Sequence, residues 1–104
     1  MSNSRIENLR EILAADPQDT FARYALGLEY LSINDIDSAR QMFEETSVLD
    51  PNYVAAYYQL GKTYELLGDE GMARKVYEKG IYAASSQSDE HTKSELEQAI
   101  SELL

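Results

Sequence analysis

Apolar residues recur along this chain at three- and four-residue intervals, and nowhere do they alternate with polar ones as a half-buried strand requires. Ile6, Leu9, Ile12 and Leu13 form the first stripe. A Ser4…Glu7 pair ahead of it fits a capping box, and Asp16-Pro17 ends it, because proline disfavours helical geometry in the residue before it. A helix is predicted over 4–15. A second is expected over 19–33, broken by Asn34-Asp35, where asparagine tolerates the left-handed C-terminal conformation and aspartate caps the next helix. The third runs from about Ile36 to Leu49, with Ala39, Phe43 and Thr46 at packing positions, and Asp50-Pro51-Asn52 closes it. The plan then recurs: a helix from Tyr53 to Leu67, a stop at Gly68, a cap at Asp69, and a helix carrying Ala73, Val76, Tyr77, Gly80 and Ile81. A Ser/Gln-rich loop is expected over 85–88. In the last stretch, 89–104, Leu96, Ala99, Ile100 and Leu103 oppose Glu95, Glu97, Gln98 and Glu102, the amphipathic pattern of a helix that caps an array.

The recurrence has a fixed period. Leu26-Gly27-x-x-Tyr30 returns 34 residues later as Leu60-Gly61-x-x-Tyr64. Asp35 with Asp69, Ala39 with Ala73, Phe43 with Tyr77, Glu44 with Glu78 and Asp16-Pro17 with Asp50-Pro51 keep the same offset. This pattern resembles the tetratricopeptide repeat. The resemblance implies an all-α, right-handed solenoid of antiparallel helix pairs, about six helices in one domain spanning 1–104. Its parts would be a half-repeat helix at 4–15, repeat one at 19–52, repeat two at 53–85 and a capping helix at 89–104. Several positions depart from the family pattern. Arg5 stands where a small residue is usual, Arg23 and Tyr57 where tryptophan is common, and Ala84-Ser85 where a third Asp-Pro would fall. The last helix, read in phase, holds Ser94, Glu95 and Gln98 in place of Leu-Gly-x-x-Tyr. For Arg23 the expectation is an aliphatic stem covering the core edge with the charge reaching water.

The Leu-Gly-x-x-Tyr face is a packing face, since glycine removes a side chain and lets a neighbouring helix approach. A second stripe, Tyr24, Leu28 and Leu31 in repeat one and Tyr58, Lys62 and Glu65 in repeat two, lies on another side of the same helices. By resemblance, such positions line a concave groove that binds extended peptides or partner helices, here built from Phe21, Tyr24, Leu28, Ala55, Tyr58, Gln59, Lys62 and Glu65. On physical grounds Phe21 and Leu31 are expected to be buried. Tyr58, Lys62 and Glu65 are expected to be exposed, because unpaired charges are costly to bury. Tyr24, Leu28 and Gln59 stand between. Tyrosine suits recognition, offering apolar area and a hydroxyl at low entropic cost. Some family members hold a chaperone's C-terminal carboxylate with a clamp of lysine, asparagine and arginine. The matching positions here are Tyr24, Leu28 and Gln59, with Lys93 the one basic candidate in the last helix, so chaperone-tail binding is not expected.

Composition narrows the function classes. With 104 residues and 43% hydrophobic content the chain can bury a thin core, and it has no long apolar run. Its N-terminus shows no apolar segment of a secretory signal, so a cytoplasmic setting is the default expectation; the lack of cysteine removes thiol and disulfide chemistry without bearing on compartment. Nine basic against 19 acidic residues leave a net charge of −10, which disfavours nucleic acid and anionic membrane as partners. The sole histidine, His91, stands at i, i+4 from Glu95, but two ligands do not make a structural metal site, and no metal or other cofactor is expected. No nucleophile is paired with a histidine and an acid, and Gly68-Asp69-Glu70-Gly71 lacks the pattern and charge of a phosphate loop. The expectation is a non-enzymatic adaptor that binds a peptide or helix of a partner protein. The alternative is self-association, as a homodimer or larger assembly, through the groove or through apolar helix ends such as Ile6, Leu9 and Leu13.

Overall fold

The stripes become six helices in the computed structural model, which describes residues 3–103: α1 (Ser4–Ala15), α2 (Thr20–Ser32), α3 (Ile36–Leu49), α4 (Val54–Leu66), α5 (Glu70–Ser86) and α6 (Glu90–Ser101). Leu104 and the first two residues, on which the expected ends of the chain fall, lie outside the described residues. The fold is all-α, with successive helices packed against one another in antiparallel pairs. No helix among the described residues is long and apolar enough to cross a membrane.

Local chemistry sets the helix ends. Asp19, Asp35, Asp69 and Asp89 each accept a hydrogen bond from a backbone N–H of the first turn after them. At the start of α1 the cap is Asn3, whose side chain accepts from the Arg5 and Ile6 amides, one residue before the expected Ser4. Asn34 (φ 64°) and Gly68 (φ 79°) take the left-handed conformation expected of them. Two features differ from expectation between α5 and α6. Without a proline to stop it, α5 continues through Ser85 and Ser86. Ser88 (φ 57°) then makes a left-handed turn ahead of Asp89, whose N–H donates to the Ala84 carbonyl at 2.9 Å. Asp35 donates to Tyr30 and Asp69 to Tyr64 in the same manner, so the last connection copies the turn found inside each repeat rather than the Asp-Pro turn between repeats.

Within each pair the packing is built on one large ring over one glycine. Phe43 and Tyr77 are fully buried, and each occupies the space that a side chain at Gly27 or Gly61 would need. A Cβ on Gly27 would stand 2.5 Å from a Phe43 ring carbon, and one on Gly61 would be closer still to the Tyr77 ring. Ala39 and Thr46, one turn either side of Phe43, are also fully buried, the Thr46 hydroxyl donating to the Met42 carbonyl at 2.8 Å.

The two ends of the stack differ from its middle at these same positions. In α1, Arg5, Leu9 and Ile12 are the equivalents of Ala39, Phe43 and Thr46. Arg5 is exposed and turns back to pair with Glu29 of α2 at 3.0 Å, and Ile12 is 45% exposed. In α6, Leu96 is fully buried and stands seven residues after its cap Asp89, as Leu26 stands after Asp19. The residue after Leu96 is the exposed Glu97, not glycine. A charged side chain thus occupies, at each end, a position where the next helix of a longer stack would need a small one.

Candidate functional site

Three helices, α2, α4 and α6, share one side of the stack, and between them lies a recess of about 260 Å³ lined by Tyr24, Ala55, Tyr58, Gln59, Thr92 and Glu95. Four of the eight expected groove residues therefore meet in one place. Tyr24 and Tyr58 form its aromatic walls, and their rings are fixed from behind. Tyr24 packs on Phe43 at 5.6 Å and on Tyr53 at 5.2 Å, and Tyr58 on Tyr77 at 6.4 Å. Both are half-buried, one side against the core and one side free. Burial pushes the Tyr24 phenol above its ordinary range, partly offset by the Gln59 side chain beside it.

The other four candidates do not line the recess. Lys62 stands 5.5 Å above the Tyr58 ring and 3.8 Å from the Glu65 carboxylate. Glu65 is not the free acid expected. It accepts a hydrogen bond from the buried Tyr77 hydroxyl and belongs as much to the core as to the groove. Leu28 is 37% exposed. Phe21, expected to be buried, is 68% exposed. The reason is the placement of α1, which packs against the opposite side of α2 through Ile6 and through Arg10, whose guanidinium donates to the Tyr30 hydroxyl at 2.6 Å. Leu31, on α2 one turn beyond Leu28, packs partly buried against the core.

Sequence reasoning missed Tyr53, Thr92 and Glu95. For the last two, a signal was present. Asp89 to Leu96 spans seven residues, as do Asp19 to Leu26 and Tyr53 to Leu60, so α6 is a shifted copy of α2 and α4. Glu95 then occupies the position of Gln59.

Arg23 also departs from expectation. Its charge is met within the protein: the side chain is 16% exposed, pairs with Glu45 at 2.6 Å and donates to the Pro17 carbonyl at 2.7 Å. Tyr57, its equivalent, donates to the Pro51 carbonyl at 2.8 Å. The two residues do one job, tying each first helix to the proline turn before it. A wider recess of about 380 Å³ lies beside Arg23, Glu44, Glu45, Val48 and Leu49, but its cation is already engaged by these internal bonds. Among the described residues no three potential metal ligands converge, and His91 reaches only Glu95, at 3.7 Å.

Comparison with known proteins places this geometry. Residues 27–68 match a family model described as TPR repeat, and residues 54–87 one described as tetratricopeptide repeat. A tetratricopeptide repeat domain protein from Salinibacter ruber, solved in solution, is 41% identical over 82% of this chain and 86% of its own length, with a TM-score of 0.77. The chain belongs to the tetratricopeptide repeat family. A protein from Bordetella parapertussis aligns over 99% of the chain and 89% of its own length at 31% identity, with a TM-score of 0.82. The crystal structure of MamA matches 81% of the chain at 28% identity and a TM-score of 0.74, the match covering 46% of that longer protein. No curated protein matches the sequence. Tetratricopeptide domains are in general protein–protein interaction modules, and none of these matches is to an enzyme family.

Proposed function

We propose that this tetratricopeptide array is a non-enzymatic adaptor that binds a segment of a partner protein in the groove along α2, α4 and α6. The observation that carries this reading is the recess itself. It draws Tyr24 from one repeat, Ala55, Tyr58 and Gln59 from the next and Thr92 and Glu95 from the last helix into a single surface. Because core rings hold the two tyrosines from behind, little side-chain freedom is lost when a partner docks. Self-association through the helix ends fits less well, since Arg5 and Glu97 stand where a stacked copy would require small residues.

The test compares wild type with the Tyr58→Ala, Lys62→Ala double variant in capture from source-cell lysate. A protein retained by wild type and lost by a variant of unchanged helicity supports an adaptor working through this groove. Recovery of only the chain itself by both, with a light-scattering mass that climbs with concentration, would transfer the assignment to self-assembly.

A further inference from the structure

Along the groove the chemistry changes from one end to the other. On α2 it is apolar, with Phe21 and Leu28 exposed beside Tyr24. On α4, Lys62 is the cation, and it is already engaged by Glu65 and by the Tyr58 ring. On α6 the lining is acidic: Glu95 is the one ionisable carboxylate in the recess, its side chain half exposed. Among the described residues the one basic group within reach of it is the imidazole of His91 at 3.7 Å, which is itself 86% exposed. A carboxylate that shares a recess with two tyrosines, and that no lysine or arginine pairs with among the described residues, suits a cation: aromatic rings attract it and the carboxylate neutralises it. The net charge of −10 adds long-range attraction of the same sign.

We propose, resting on partner binding in this groove, that the partner segment carries a lysine or arginine which enters the recess between Tyr24 and Tyr58 and pairs with Glu95. Apolar side chains next to that cation lie over Leu28 and Phe21. An acidic segment is excluded, because it would bring its charge against Glu95 while Lys62 remains committed to Glu65.

The test uses synthetic fluorescein-labelled peptides of one apolar frame whose central residue is arginine, lysine, glutamine or glutamate. Binding is read by anisotropy and located by amide shifts in ¹⁵N-labelled protein. The arginine and lysine peptides should bind about three- to tenfold tighter than the glutamine peptide, with shifts at Tyr24, Tyr58 and Thr92, and the glutamate peptide weakest. Glu95→Gln, a surface change that leaves the fold intact by circular dichroism, should abolish the preference for arginine over glutamine. Tyr58→Ala should weaken every peptide. Equal binding of all four peptides, still weakened by Tyr58→Ala, would overturn cation selection and leave the groove standing. Tightest binding of the glutamate peptide would also overturn it. Absence of binding by any peptide, or shifts confined to another face, would overturn both the selection and the groove.

Discussion

Repeat one and repeat two share a backbone plan and solve the same packing problem with different chemistry. In repeat one the ring over the glycine is Phe43, and the position that Glu65 holds in repeat two is Leu31, partly buried against the core, so both residues are apolar. In repeat two the ring is Tyr77, which brings a hydroxyl into the core, and Leu31 is replaced by Glu65, which accepts its hydrogen bond. Lys62, in place of Leu28, then lies against that carboxylate. The three differences form a chain: one buried hydroxyl calls for an acceptor, and the acceptor's charge is met by a cation. Two groove positions, Lys62 and Glu65, are thereby partly spent on stability, whereas Tyr24, Tyr58, Gln59 and Glu95 line the recess.

The largest effect should come from filling the two glycines. Gly61→Ala places a Cβ against the Tyr77 ring, and that ring is tethered by its hydroxyl and cannot swing away. A loss of about 3 kcal/mol is expected, against the gain of about 1 kcal/mol in helix propensity. Gly27→Ala should cost less, since the Phe43 ring has no such tether. Chemical unfolding monitored by circular dichroism measures both, and equal losses would show that the tether does not fix the ring.

Next comes moving the hydroxyl from one repeat to the other. Phe43→Tyr buries a hydroxyl beside Leu31 with no acceptor and should cost about 2 kcal/mol. Adding Leu31→Glu should recover part of that loss. A double variant no better than the single one would mean that the acceptor in repeat two is incidental.

The smallest effect is on pH dependence. Burial first, and then the bond to Glu65, push the Tyr77 phenol well above its ordinary range. An unfolded tyrosine releases its proton near pH about 10, whereas folded Tyr77 retains it. Its contribution is therefore complete below that pH and is lost as pH rises beyond it. Denaturant midpoints measured from neutral to alkaline pH should fall less steeply for Tyr77→Phe than for wild type. Parallel curves would place the Tyr77 hydroxyl in water.

Much of the fold was legible because helix stripes, Asp caps and Asp-Pro turns are local signals. The left-handed residues at Asn34 and Gly68 arise from the same local chemistry. The candidate site was legible only in part. Tyr24, Ala55, Tyr58 and Gln59 are given by the repeat phase, but Glu95 was hidden because α5 runs on through Ser86 and shifts the copy in α6 by two residues relative to the 34-residue period. The exposure of Phe21 was not legible at all: apolar character says that a residue gains from burial, not that a neighbour exists to bury it.

By itself, then, the sequence determined the helices, their period and the glycine-and-ring pairing, since each depends on residues close in the chain or repeated at a fixed offset. Only the tertiary structure decided which side of α2 the first helix covers, that Arg23 and Tyr57 hold equivalent proline carbonyls, and that Glu65 serves Tyr77 while Glu95 faces the groove. Those choices depend on which helix faces cross in space, and hydrogen bonds between side chains are set by that crossing rather than by spacing along the chain.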